Sequence, residues 1–572
     1  MARVADIAKG NSSGPRLLDA LRAAVGVRYV ITGDGATRRF ATGYRFGSGR
    51  VLAVVRPGSL VEQWRVFTAC VDAGVIVIIQ AANTGLTGGS TPDGTYDRDV
   101  VIINTMRIGG IHLIRGGQQA VCLSGATLSD LEQRLRPIGR EPHSVIGSSC
   151  IGASVIGGVC NNSGGALVRR GPAYTEYALY ARVNDRGEAE LCNHLGIRLG
   201  EDPEAILGAL DAGQFGEQDI ADEGRAASAP DYESRVRDIA EPSPARFNAD
   251  PERLYEVSGC AGKVMALAVR VDTFPADRDT VTFYVGSNDP ADLTRIRRRL
   301  LSEGCPLPVS AEYIHRGAYV LAETYGKDTV LAIERLGTHR LPALFAWKAR
   351  IDGLAKRLPF LPANLSDRLL QAAGRLFPPH LPTRMSAFRD RFEHHLILKV
   401  ADDAIEPTRK LLARIMPGSA GDMFECTAEE ANKAFLHRFA VAGAAVRYRA
   451  IHPASVEDII ALDIALRRDD EQWFETLPEE VAEPLLARIY YGHFMCHVFH
   501  QDYIVRKGTD PVALEHHMWK LLDARGARYP AEHNVGHLYP ASPEMLAHYR
   551  ALDPANRMNP GIGQASRAAG WA

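Results

Sequence analysis

The 572-residue sequence predicts an α+β fold in more than one domain. Three observations carry that expectation. A β–α–β order occupies residues 51–79, two long loops of small residues lie near 80–90 and 142–165, and strand signals return at 264–285 after a polar stretch.

Taken in order, Leu17, Leu18, Leu21 and Val25 recur at helical spacing, so residues 1–45 read as a helical lead-in. Val51–Val55 reads as a strand closed by Pro57-Gly58-Ser59. A helix through Trp64, Phe67 and Val71 follows, and then the apolar strand Val75–Ile79. From Gln80 to Gly171 glycine is dense. There Val100–Ile103 and Ile111–Ile114 read as strands and Leu128–Leu135 as a helix. Tyr177–Val183 and Ala189–Asn193 flank Asn184-Asp185-Arg186-Gly187, a hairpin turn. Residues 201–245 are acidic and polar and read as a surface excursion. Val264–Val271 and Val281–Val285 read as strands. Residues 335–391 hold nine Arg and two Lys against three Asp, a local charge of +8 in a chain of −2.

Composition narrows the function. The small net charge gives no bulk attraction to nucleic acid or to anionic membrane, so any electrostatic partner acts on a local patch. The nine cysteines are scattered without a CxxC pair, which suits a reducing compartment and argues against a disulfide scaffold. The N-terminal stretch has no apolar signal core. The most apolar runs, such as Gly74–Ile79 and Ala440–Val446, fall far short of the roughly 18 residues a membrane span needs.

The loop from Gln80 to Ser90 follows a strand, and its small residues can turn backbone N–H groups toward phosphate oxygens. A second loop runs from Pro142 to Gly158 and continues into Asn161-Asn162-Ser163-Gly164-Gly165. Two such loops suit an extended dinucleotide better than a mononucleotide. Neither a GxGxxG nor a GxxxxGK[ST] motif occurs, which disfavours a Rossmann NAD site and a P-loop.

The strings AANTGLTGGSTP and EPHSVIGSSCIGASVIGGVCNNSGG resemble the vanillyl-alcohol-oxidase (PCMH) type of FAD-binding domain. Together with NADPERLYEVSGCAGK, KAFLHRFAVAGAAVRY, YYGHFMCHVFHQDYIV, PAEHNVGHLY and DPANRMNPGIG they resemble the quinone-dependent respiratory D-lactate dehydrogenases over nearly the whole chain. The resemblance implies a PCMH-type FAD-binding domain of two α+β subdomains, with an α+β cap and a basic membrane-binding insert. The expected division is an FAD domain at 1–275 (core about 46–216), a cap at 276–334 and 392–520, the insert at 335–391, and a C-terminal segment 521–572 returning to the FAD site.

It further implies that Ala81, Ala82, Asn83, Thr84, Gly85, Gly89 and Ser90 wrap the FAD pyrophosphate, and that Gly147, Ser154, Gly164 and Ala266 line the rest. Non-covalent FAD is expected, with His143 a candidate for attachment. Arg438 matches a carboxylate-binding arginine of related FAD 2-hydroxy-acid dehydrogenases, Arg447 and Arg449 being weaker alternatives. Carried over from the relatives' GHxGDGNxH and EHGxG motifs, His493, His500 and Glu532 would hold a divalent metal such as zinc, and His533 would be the base. This chain has Phe-Met-Cys-His in place of Gly-Asp-Gly-Asn. Its His493, His497 and His500 also fall at i, i+4 and i+7, the spacing of a plain helix face.

The expected activity is oxidation of D-lactate to pyruvate, with electrons passed to ubiquinone or menaquinone. Glycolate or 2-hydroxyglutarate is the alternative substrate, direct use of O2 the alternative acceptor chemistry, and a flavin-free membrane adaptor built on the basic patch the alternative class. The insert implies peripheral attachment to anionic lipid on the cytoplasmic side of a bacterial inner membrane, and no nucleic-acid partner.

Overall fold

The structure is a computed structural model and describes residues 13–143, 151–221, 223–302, 304–337, 341–355 and 364–572. In the first sheet, Ala53–Val55, Val100–Asn104 and Ile76–Gln80 run parallel, and the short Val30–Ile31 adds antiparallel on the Ala53–Val55 edge. These strands are apolar on both faces because both faces are covered. The crossover helix Leu60–Asp72 starts where the Ser59 hydroxyl accepts from the Glu62 N–H at 3.1 Å.

The second sheet is antiparallel, in the order Ile111–Ile114, Gln119–Leu123, Met265–Pro275, Ala178–Val183, Ala189–His194. Asn184 to Gly187 make the expected hairpin, with Gly187 at φ +78°. Val77, Val101 and Ile103 of the first sheet share one core with Val121, Leu179 and Leu267 of the second. That shared core holds the loops between the sheets in a fixed place.

Residues 201–245 are more than a surface excursion. They form the helices Pro203–Ala212 and Tyr232–Arg237, which bury Ile206, Leu207 and Leu210, and Tyr232 and Val236. The apolar residues there are few, but they recur every three or four positions, which is enough to anchor a short helix.

The third sheet has seven antiparallel strands, ordered Gly421–Glu425, Thr280–Ser287, His394–Ala401, Ser310–His315, Leu485–His493, Val498–Arg506, Val456–Ala465. The long helix Ala428–Ile451 packs across it against the helix Arg316–Tyr325. A capping box starts the long helix: Thr427 Oγ1 accepts from Glu430 N at 3.2 Å, and Thr427 N donates to Glu430 Oε2 at 2.8 Å. Gly326 allows the two helices to approach, since a Cβ there would lie 3.0 Å from the Ala440 Cβ.

Between Ser310–His315 and His394–Ala401 the described residues form mainly helices, including Lys327–Leu336, Leu341–Ala355, Leu365–Gly374 and Thr383–Arg391. The net charge of +8 at 335–391 overstates the basic surface, because neighbours outside the segment neutralise part of it. Arg384 pairs with Glu430, Arg389 with Glu323 and Arg391 with Asp422. Arg335, Arg350, Arg368 and Arg375 are exposed and have no carboxylate partner among the described residues. Around them Trp347, Leu354, Leu369, Leu376 and Phe377 are exposed, Leu376 at 87%. Unpaired arginines among exposed apolar side chains make a surface suited to a bilayer interface. Among the described residues no helix is long and apolar enough to cross a membrane.

Candidate active site

The first glycine loop is pinned at its base. The Gln80 amide donates to Phe40 O at 2.9 Å and Ser90 O at 2.8 Å, and the Asn104 amide donates to Ala81 O at 2.9 Å. Asn83, at φ +55°, accepts from the Ser90 hydroxyl at 3.0 Å and donates to Thr42 O at 3.0 Å. With the ends tied down, none of the backbone N–H groups from Ala82 to Ser90 donates to an acceptor among the described residues. A Cβ added at Gly85 would meet nothing within 4 Å. The result is a run of free backbone donors with open space beside Gly85, which is what a pyrophosphate needs.

The second loop comes to meet the first. A Cβ added at Gly152 would lie 3.7 Å from the Ala82 Cβ, and Ser154 Oγ accepts from Gly157 N at 3.0 Å to cap the helix Val155–Cys160. Ala266 is buried on Met265–Pro275, beside a bulge. Gly147 lies outside the described residues. His143 is buried, and neither ring nitrogen has a partner among the described residues. The free N–H run and this orphaned ring fit a large polar cofactor between the loops.

Gly164 reaches the cleft differently from what its loop suggests. A Cβ there would sit 1.2 Å from Arg246 Nη1, so the glycine makes room for a buried guanidinium. Arg246 pairs with Glu532 at 2.6 Å and donates to Gly165 O at 2.7 Å.

The segment bearing Glu532 and His533 docks on the first loop. Gly536, at φ +55°, lies against Thr87, whose carbonyl oxygen would be 2.2 Å from an added Cβ. His537 N donates to Thr87 O at 2.9 Å, and its Nε2 lies 3.0 Å from Thr91 O. The Asn559 amide donates to Gly89 O at 2.7 Å.

The remaining polar groups come from one face of the third sheet, where directly paired residues point the same way. Glu312 pairs with His493, Tyr491 with His500, and His500 with Asp463. His493 and His500 therefore lie on neighbouring strands joined by a turn at Phe494–His497, and the helix-face spacing of the three histidines is not realised. The flanking Ile, Tyr, Val and Phe alternate with period two, and the sheet sets the register. His497 turns away, buried, to within 3.1 Å of Arg467 O.

From the cap helix, Arg438 reaches Glu312 at 2.9 Å and lies over the Tyr491 ring at 4.5 Å, and its Nε has no partner among the described residues. Arg447 is committed elsewhere, to Asp328 and Asp367, and Arg449 to Asp458. Glu312 also accepts His493 Nδ1 at 2.7 Å. Burial pushes the Glu312 carboxyl up, but His493 and Arg438 outweigh it and hold it below the usual range. Glu532 is likewise pushed up by burial and pulled down further by Arg246 and then by the histidines, to about 2. His533 Nε2 lies 3.9 Å from Asp463 Oδ2, and His500 Nδ1 lies 3.3 Å from Asp463 Oδ1. Burial lowers His533, with Asp463 opposing. His500 is also lowered by burial, but its hydrogen bond to Asp463 wins and raises it. The two imidazoles on one carboxylate are thus biased toward opposite protonation states.

The proposed metal ligands do converge, with His493 Nε2 at 3.9 Å from Glu532 Oε2. They do not fit a metal: among the described residues no group of three or more His, Cys, Asp or Glu is arranged to hold one. The physical reason is Arg246, a buried cation already neutralising Glu532, beside which a divalent ion would be repelled. Glu312, Arg246, Asp463 and Tyr491 were not singled out from the sequence. Glu312 and Tyr491 sit in alternating strands where nothing local marks them, although Arg246-Phe247 directly precedes the NADPERLYEVSGCAGK string.

Paired glycine loops and a buried Arg, His and carboxylate cleft define a flavin-type oxidoreductase of the PCMH class. A family described as an FAD binding domain matches residues 51–191, and one described as D-lactate dehydrogenase, membrane binding, matches 282–571. The fold is similar to p-cresol methylhydroxylase (TM-score 0.57, 12% identity, 96% of each chain). It is also similar to alkyldihydroxyacetonephosphate synthase (TM-score 0.58, 10% identity, 96% of this chain and 84% of the other). The chain belongs to the family of quinone-dependent D-lactate dehydrogenases. It is 56% identical to the protein of that name from Haemophilus influenzae, over 97% of this chain and 99% of the relative. The Escherichia coli protein is 55% identical, with 97% of each covered.

Proposed function

We propose that this chain oxidises D-lactate to pyruvate with bound FAD and passes the electrons to a membrane quinone. The observation that carries the reading is the arrangement of a half-free buried arginine and a neutral imidazole beside two loops shaped for a dinucleotide. The loop residues Ala81 to Ser90, with Ser154, Gly164 and Ala266 along the cleft, would hold FAD without a covalent link. Bound there, FAD supplies the hydride acceptor for C2 of the substrate.

The chain's own residues supply the rest. Arg438 is oriented by Glu312 and Tyr491, which leaves its Nε edge to grip the substrate carboxylate. His533, lowered by burial, is unprotonated at neutral pH and takes the hydroxyl proton. Asp463 stabilises the imidazolium that results. His500 keeps a proton more readily than a free imidazole because of its hydrogen bond to Asp463. Glu532 and Arg246 fix the His533 segment from below. No step runs through a metal.

We assign the exposed arginine and apolar surface of 335–391 to anionic lipid, with peripheral attachment on the cytoplasmic side of the inner membrane, and divide the chain into an FAD domain at 1–275, a cap at 276–334 and 392–520, and a returning segment at 521–572. The deciding experiment is anaerobic: D-lactate, and not L-lactate, should bleach the flavin absorbance of the purified protein. Equal bleaching by both, or by neither, overturns the reading. Rates with glycolate and 2-hydroxyglutarate in the same assay rank the substrates.

A further inference from the structure

A cavity of about 490 Å³ lies between the insert and the start of the long cap helix, away from the cleft described above. Its wall includes Glu334, Arg335, Phe377, His380, Leu381 and Lys433. At the outer end Phe377 is 41% exposed, next to Leu376 at 87%, so the mouth opens among the exposed apolar residues of the insert. At the inner end His380 is only 7% exposed, and its Nε2 has no partner among the described residues. A buried polar atom left unpaired beside a cavity is costly unless something enters to meet it.

We propose that this cavity binds the quinone ring. The inference rests on the reading of a membrane quinone as electron acceptor and names where that acceptor sits. The volume falls in the range of small-molecule sites, about 300–1,000 Å³. Leu331, Leu381 and the prolines 378, 379 and 382 supply apolar walls. His380 supplies a hydrogen-bonding group for a ring carbonyl, and Lys433, held by Glu334 at 2.7 Å, a second donor.

The charge on the wall argues against an anionic headgroup. The charges there are largely paired, Lys433 with Glu334 and Glu430 with Arg384, which leaves no cluster of free cations to hold a phosphate. Burial holds His380 down at about 4, so it is neutral and can hydrogen-bond an uncharged oxygen.

The position also suits electron transfer. Lys433 and Arg438 are five residues apart on one helix, a rise of about 7.5 Å. The His380 and His437 rings are 6.0 Å apart, and His437 immediately precedes Arg438. The cavity thus lies between the exposed face of the insert and the helix that carries Arg438. The overall exchange balances: D-lactate loses two electrons and two protons to become pyruvate, and the quinone's two C=O groups gain them to become two C–OH groups.

The test uses the holoenzyme and two readouts. Photolysis with a short-chain azidobenzoquinone, without lipid, should label peptides within 377–382 or 427–433, and decylubiquinone should compete. His380→Phe and Phe377→Ala should each raise the KM for decylubiquinone at least tenfold while dye-linked D-lactate turnover stays parental. His380→Gln, which keeps a hydrogen-bonding group, should recover most of the affinity. Labelling elsewhere, or parental quinone KM in both variants, overturns the proposal. So does displacement of the label by phosphatidylglycerol vesicles and not by phosphatidylcholine, which would make the cavity a headgroup site. Failure of D-lactate to bleach the flavin would sink the activity reading instead, and the labelling result would still locate the quinone.

Discussion

Gly536→Ala tests the physical link between the glycine loop and the segment that carries His533. The Cβ it adds would lie 2.2 Å from the Thr87 carbonyl oxygen, 2.4 Å from its Oγ1 and 2.5 Å from its Cβ. The closest of these is backbone, so no side-chain rotation relieves it, and the two segments must part by about 1 Å to reach ordinary contact. The residue must also hold φ +55°, which costs a non-glycine residue about 1 kcal/mol. The hydrogen bond from His537 N to Thr87 O stretches or breaks, a loss of about 1 kcal/mol. If the loop yields, about 2 kcal/mol comes out of FAD binding, roughly a thirtyfold loss of affinity. If His533 yields, a displacement of about 1 Å lowers the rate of flavin reduction by about a hundredfold. Titrating apoprotein with FAD and timing anaerobic bleaching by D-lactate read the two effects separately. A variant with parental FAD affinity and parental bleaching would show that the docking of 531–537 on the glycine loop does not shape the site.

Arg438→Lys keeps the charge and loses the planar fork, so kcat/KM for D-lactate should fall at least about tenfold in steady-state assays, with FAD content unchanged. His533→Asn should slow flavin reduction by about 10²–10⁴-fold in stopped flow. Because burial lowers His533, the parent's reduction rate should be flat at neutral pH and fall as pH drops through a value below the ordinary 6.5; the variant should lose that limb. Arg246→Met leaves Glu532 buried without its partner and should destabilise the fold by about 3–5 kcal/mol in urea melts. The sign with pH follows from the depressed Glu532 carboxyl. Its contribution is present above the ordinary 4.5 and is lost as pH falls toward about 2, so the parent and variant melts should converge in acid. Replacing the exposed Arg335, Arg350, Arg368 and Arg375 with Glu should abolish binding to phosphatidylglycerol vesicles in a flotation assay and leave dye-linked D-lactate oxidation intact.

The local parts of this protein were legible in its residue order. Leu60–Asp72 and Leu128–Leu135 declare themselves by spacing and caps, and Asn184 to Gly187 by turn chemistry, because those signals act within a few residues. The small-residue run at 81–90 announced a place for phosphates for the same reason. What only the tertiary structure decided is which distant groups share a charge environment. The strand register sets Glu312 beside His493 and Asp463 beside His500, turning a histidine spacing that suits a helix into a hairpin. Gly164 is expected from its loop to line a cofactor, and its missing side chain also seats Arg246 on Glu532. Likewise the +8 of the insert is an arithmetic property of the sequence, while Glu323, Asp422 and Glu430 decide how much of it faces solvent. Hydrogen bonding and side-chain spacing act over neighbours in the chain; Coulomb and burial energies act over neighbours in space, and those exist only once the sheets have closed on one another.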